Sequence, residues 1–113
     1  MPDAALMNAV RPLPDLPRYA FIDRIAALPF VDAIILYGSR ARGDARRRSD
    51  IDIAIAAPSA TNADWQNVMD LVEDADTLLG IDCVRLDDLA GDEPLRRNIE
   101  ADGVMLYSRI EKA

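Results

Sequence analysis

Hydrophobic positions along this chain switch between two spacings, and the switches mark its elements. Phe21, Ile22, Ile25 and Leu28 recur three and four residues apart within "DLPRYAFIDRIAAL", the period of a helix with one buried stripe. Asp15 can cap that helix, and Pro17 suits its first turn. "VDAIILYG", residues 31–38, is a short apolar run closed by glycine, which predicts a buried strand. "DIDIAIAA", residues 50–57, alternates cleanly, with Ile51, Ile53 and Ile55 on one face and Asp50, Asp52 and Ala54 on the other. Trp65, Val68, Met69, Val72 and Leu79 return to helical spacing, with Thr61 or Asn62 as cap and Gly80 as the stop. "IDCVRL", residues 81–86, reads as a third strand. "DEPLRRNIEADG" reads as a helix with Pro94 in its first turn and Gly103 beyond its end, and "VMLYS" as a last short strand. The order α-β-β-α-β-α-β predicts an α/β (α+β) chain, a single mixed sheet of about four strands with helices packed against it.

Residues 1–14 hold three of the seven prolines and no clear period. They read as a flexible N-terminal arm, leaving residues 15–113 as one domain. The net charge is −7, from 20 acids against 13 bases, so direct contact with nucleic acid is not expected. The positive charge is concentrated: Arg40, Arg42, Arg46, Arg47 and Arg48 fall within nine residues. A dense arginine loop on an acidic chain suits a small anionic ligand better than a long polyanion. The absence of histidine excludes His-rich zinc sites and Ser-His or Cys-His catalysis within this chain. A single cysteine, Cys83, excludes an intrachain disulfide. No apolar run approaches the ~18 residues of a membrane span. The first residues lack the basic-then-apolar order of a signal peptide. A cytoplasmic location without membrane contact is the expectation.

The chemistry concentrates in "GSRARGDARRRSDIDIAIAA", residues 38–57. A strand points residues two apart the same way, so Asp50 and Asp52 share a face at the strand's mouth. Alone, such a pair describes ordinary solvated surface. Here the isoleucines on the other face fix the register, and Asp82 opens another apolar strand in the same manner. Three carboxylates within ~5 Å of each other would repel by about 3 kcal/mol per pair at an effective dielectric near 20. They must protonate or hold cations. An all-oxygen donor set without histidine or thiolate suits Mg²⁺ or Mn²⁺, and two such ions can clamp an in-line phosphoryl displacement. Gly38 would let backbone approach a phosphate, Ser39 would bind its oxygens, and Arg40 or Arg42 would neutralise developing charge.

Gly38-Ser39, ten residues, then Asp50-Ile51-Asp52 resembles the G-S-x10-D-x-D signature of the DNA polymerase β-like nucleotidyltransferase superfamily. "LYGSRARGDARRRSDIDIAI" is similar in particular to the minimal nucleotidyltransferases. The resemblance runs from about residue 18 to 108. It implies the polymerase β-like fold and transfer of a nucleoside monophosphate, by default AMP from ATP, to an acceptor hydroxyl. It implies Asp50 and Asp52 as ligands of both metal ions and Asp82 as the third carboxylate. Asp87 and Asp88 lie close behind as alternatives for that third acid. Gly38 and Ser39 would grip the triphosphate. Minimal nucleotidyltransferases resemble one half of a two-component module whose other half is a HEPN protein. The resemblance therefore implies an antitoxin that adds AMP to a tyrosine of a HEPN toxin. Alternatives are an antitoxin that neutralises by binding alone, or a nucleotidyltransferase for a small-molecule acceptor. Arg46–Arg48 and Asp44 read as solvated loop, Tyr37 and Trp65 as packing, and Cys83, on the face opposite Asp82, as a small buried residue.

Overall fold

The computed structural model describes residues 18–109. The expected N-terminal arm and the capping pair Asp15 and Pro17 lie outside the described residues. The elements are α1 (Ala20–Ala26), β1 (Ala33–Tyr37), α2 (Ser39–Arg42), β2 (Ile51–Ala56), α3 (Asn62–Glu73), β3 (Ile81–Arg85), a 3-10 turn (Leu86–Asp88), α4 (Pro94–Asp102) and β4 (Val104–Ser108). The strands form one mixed sheet in the order β3-β2-β1-β4. β1 pairs antiparallel with β2 and β4, and β2 pairs parallel with β3 across the α3 crossover.

The alternation read in β2 becomes two unlike faces. Ile51, Ile53 and Ile55 join Ile34 and Leu36 under α1 and α3, packed on Phe21, Ile22, Ile25 and Val68. On the other face Tyr37, Ala54 and Ile99 pack with Ile35, Val84, Leu86, Leu89 and Leu95, so that α4 and the turn after β3 cover it. Cys83 lies on the first face, as expected, and burial pushes its thiol up to about 12.

Local chemistry sets most boundaries. Thr61 caps α3 through a reciprocal pair, in which Asp64 N–H donates to Thr61 Oγ1 and Thr61 N–H donates to the Asp64 carboxylate, both at 3.0 Å. α3 stops at Glu73, short of the expected Gly80. Asp70, Glu73 and Asp74 put negative charge at the end of the helix that already carries a partial negative charge. The chain then turns, with Leu79 N–H donating to the Thr77 hydroxyl. Leu79 still reaches the core, while Leu78 is fully exposed.

That turn also explains the start of α1, which begins at Ala20 with no side-chain cap from Tyr19. The carboxylate of Asp76 accepts from Ala20 N–H at 2.9 Å and Phe21 N–H at 3.1 Å. These bonds hold its pKa below the usual carboxylate value. The cap comes from more than fifty residues away, where no local pattern announces it.

Candidate active site

The site is built where β1, β2 and β3 end together. β1 closes at Tyr37, and Gly38 turns the chain with φ +75°, a conformation open chiefly to glycine. One short helical turn, α2, follows, so the expected open loop begins with structure. Gly43, at φ +88°, ends it. The chain returns through the arginine run into β2.

Register brings the acids together. Tyr37 lies opposite Asp52 across the antiparallel pair, and Asp52 lies beside Asp82 across the parallel one. The three side chains form a row on the second face, beyond the part covered by α4. Asp50, two residues before Asp52, sits beside the row against the backbone of Gly80, where an added Cβ would stand 2.6 Å from Asp50 Oδ1. Gly38 is equally close to Asp52: a Cβ there would overlap Oδ2 and lie 3.2 Å from Cγ. Each aspartate of the D-x-D pair is thus backed by a glycine at a neighbouring strand end.

The electrostatics record the crowding. Partial burial, then the charges of Asp82 and Asp50, raise the pKa of Asp52, against the opposing pull of Arg42 and Arg40. Tyr37 is buried with no hydrogen-bond partner for its hydroxyl. Burial first, then Asp82 and Asp52, raise its pKa strongly, so it remains a protonated donor close to the acids.

Among the described residues, no three carboxylate or thiolate groups stand together at metal-holding distance. The donor set nevertheless fits a hard cation. It is all oxygen, its members repel one another, and β2 and β3 already hold two of them side by side.

The remaining residues read from sequence separate. Asp87 is engaged elsewhere, accepting from Ala57 N–H at 2.7 Å, and Asp88 lies in the exposed 3-10 turn. Asp82 is therefore the acid in register with Asp52. Ser39 stands at the first position of α2, half-buried. Arg42 is exposed and reaches Asp44 at 3.3 Å and Asp102 at 3.5 Å. Arg40 does not point to solvent: it is 7 % exposed and donates to the carbonyls of Ser49, Arg47 and Arg46. Its hydrogen bonds shape the loop, and its charge is still felt at Asp52. Nothing in the local sequence distinguishes Arg40 from Arg42, since both lie in the same arginine-rich turn.

Known proteins share the sequence family and the fold. The family model described as "Polymerase beta, Nucleotidyltransferase" matches residues 22–112. No curated protein matches the chain. Among solved structures, one of a toxin-antitoxin with AMP-PNP is 26% identical, with a TM-score of 0.60 over 79% of this chain and 72% of that one. A mutant of the toxin-antitoxin MntA-HpeT is 25% identical, with a TM-score of 0.55 over 79% of this chain and 68% of that one. A putative nucleotidyltransferase from Sulfolobus solfataricus, 22% identical with a TM-score of 0.52 over 80% of this chain and 76% of that one, shares the fold.

Proposed function

This chain belongs to the polymerase beta nucleotidyltransferase family, and from that premise we propose that it transfers AMP from ATP to a hydroxyl of a partner toxin. The observation that carries the reading is the row Tyr37, Asp52, Asp82, bordered along its strand-mouth side by Gly38 and Asp50. Likeness to a toxin-antitoxin solved with AMP-PNP supports both the nucleotide and the partner. A HEPN toxin, with tyrosine as acceptor, is the partner implied by the resemblance of the signature.

Asp50, Asp52 and Asp82 would hold Mg²⁺ or Mn²⁺, which when bound supplies charge neutralisation and Lewis acidity at the phosphoryl oxygens. The chain's own residues do the rest. Gly38 keeps side-chain bulk away from the Asp52 carboxylate, leaving room for phosphate oxygens. Ser39, at the start of α2, offers its hydroxyl to the triphosphate. Arg42 lies on the solvent side, where releasing Asp44 and Asp102 would let it meet the pyrophosphate. Asp82 is exposed on an edge strand, so an acceptor can approach it from outside the sheet. There its carboxylate would take the acceptor's proton.

One observation favours a second reading. The carboxylates do not stand as a closed metal-holding group, and an antitoxin acting by occlusion needs no such closure. Label transfer separates the two. Each of the four α-labelled nucleoside triphosphates is supplied with Mg²⁺ to the chain and a toxin partner co-expressed from the adjacent reading frame. Label from ATP should enter the partner and vanish with Asp50→Asn/Asp52→Asn. Transfer that survives the double variant would sink the enzymatic reading. Co-purification without any transfer would establish occlusion.

A further inference from the structure

The arginine run was read as one feature, but the structure splits it. Arg46, Arg47 and Arg48 are exposed. Arg40 is buried and, among the described residues, makes no ion pair with any carboxylate. Its Nε and Nη2 donate to Ser49 O at 3.1 and 2.7 Å, and Nη2 also faces Arg47 O at 3.2 Å and Arg46 O at 3.4 Å. A buried charge whose hydrogen bonds all go to carbonyl dipoles is costly unless its geometry is satisfied. Here it is satisfied by the three carbonyls that bring the chain into β2.

The two ends of this contact matter. Arg40 follows Ser39 directly, and Ser49 precedes Asp50 directly. One guanidinium therefore closes the ten-residue spacer of the signature into a ring. Ser49 N–H donates to Arg46 O at 3.0 Å, and Arg46 N–H donates to the Ser49 hydroxyl at 2.8 Å, tightening the same corner. Beyond it, Ile51 N–H donates to Gly80 O at 2.9 Å, which seats Asp50 over Gly80.

We propose that Arg40 is a positioning residue: by stapling the Ser49 carbonyl to the Gly38-Ser39 turn, it fixes Asp50 and Asp52 for cation binding. The inference rests on the reading of the acidic corner as a cation site. The planar fork is essential to it. Lysine carries the same charge as a single point and cannot bridge Ser49 O from two nitrogens while reaching Arg47 O.

The test uses Arg40→Lys and Arg40→Gln, compared with wild type under conditions where circular dichroism shows all three folded. Two readouts are taken: amide hydrogen exchange at residues 46–51 against Leu36 in β1, and Mn²⁺ affinity by paramagnetic resonance titration. In wild type the Ser49 and Ile51 amides, bonded to Arg46 O and Gly80 O, should exchange slowly. In Arg40→Lys they should exchange roughly tenfold faster, the opening expected from one lost charge-assisted hydrogen bond, while Leu36 is unchanged. Mn²⁺ affinity should fall about 10–100-fold, as for other outer residues that orient a metal ligand. A residue that only stabilises the fold would lower the melting temperature and leave the affinity of the folded protein alone. Fast exchange at Ser49 in wild type, or wild-type Mn²⁺ affinity in folded Arg40→Lys, would overturn the proposal. So would tighter Mn²⁺ binding in Arg40→Gln, because that result assigns Arg40 a charge effect only. A wild-type chain that binds no Mn²⁺ would instead overturn the cation reading itself, and the staple's purpose with it.

Discussion

Asp52 and Ile53 are consecutive on β2 and face opposite sides of the sheet. Ile53 is fully buried between two helices, among side chains that differ little in chemistry and fill one continuous core. Asp52 is part-buried, flanked by a buried tyrosine with an unpartnered hydroxyl and by two other acids. The first face has apolar area to bury and no chemistry to perform. The second is apolar only as far as α4 reaches, and beyond that its groups destabilise one another until a ligand arrives. One strand separates stability from reactivity because its side chains alternate with a period of two.

The comparison can be broken hardest from the stable side. Ile53→Ala should lose about 2–5 kcal/mol by removing buried methylenes and leaving a cavity. That is much of the stability of a small domain, and a denaturant midpoint would read it. Gly38→Ala joins the two sides. Gly38, at φ +75° and ψ −157°, sits in a region essentially reserved for glycine, where another residue costs roughly 1–3 kcal/mol, and an added methyl also displaces the Asp52 carboxylate. The expectation is a modestly lowered melting temperature with transfer activity abolished, so activity is lost far out of proportion to stability.

The smallest effect has the opposite sign. Asp52 has a raised pKa, so the folded state holds its proton more tightly than the unfolded chain does. Folding stability then falls as pH rises from the ordinary value of 3.8 through the higher folded-state pKa. Asp52→Asn removes that penalty. Melting curves should show the variant more stable than wild type at neutral pH, with the gap closing as pH drops below 3.8. Mg²⁺ should narrow the gap at neutral pH by stabilising wild type alone. A variant that is less stable at neutral pH would mean that Asp52 belongs with the structural face after all.

These contrasts also separate what sequence could reveal from what it could not. The period of β2 is local, so its register and the shared side of Asp50 and Asp52 were legible. The Gly-Ser turn and the spacing to the aspartates were legible for the same reason. Asp82 was legible as a strand-borne acid, but only pairing with β2 distinguishes it from Asp87, which bonds to the backbone of Ala57. The cap of α1 was not legible, because Asp76 supplies it through a contact between distant segments. The burial of Arg40 was not legible, because it is decided by where the returning loop puts its carbonyls. Composition records only that the segment is rich in arginine.

The contact between Gly80 and Asp50 bears on the chain's ancestry and descent. Gly38 is constrained twice, by its backbone angle and by its neighbour. Gly80 is constrained by the nearness of a carboxylate, because a methyl there would swing Asp50 aside without blocking the path of the chain. Selection for folding alone does not see that difference, whereas selection for a working acidic corner does. Position 80 is therefore a witness to use: a descendant that no longer needed Asp50 would be free to fill it while its fold stayed the same.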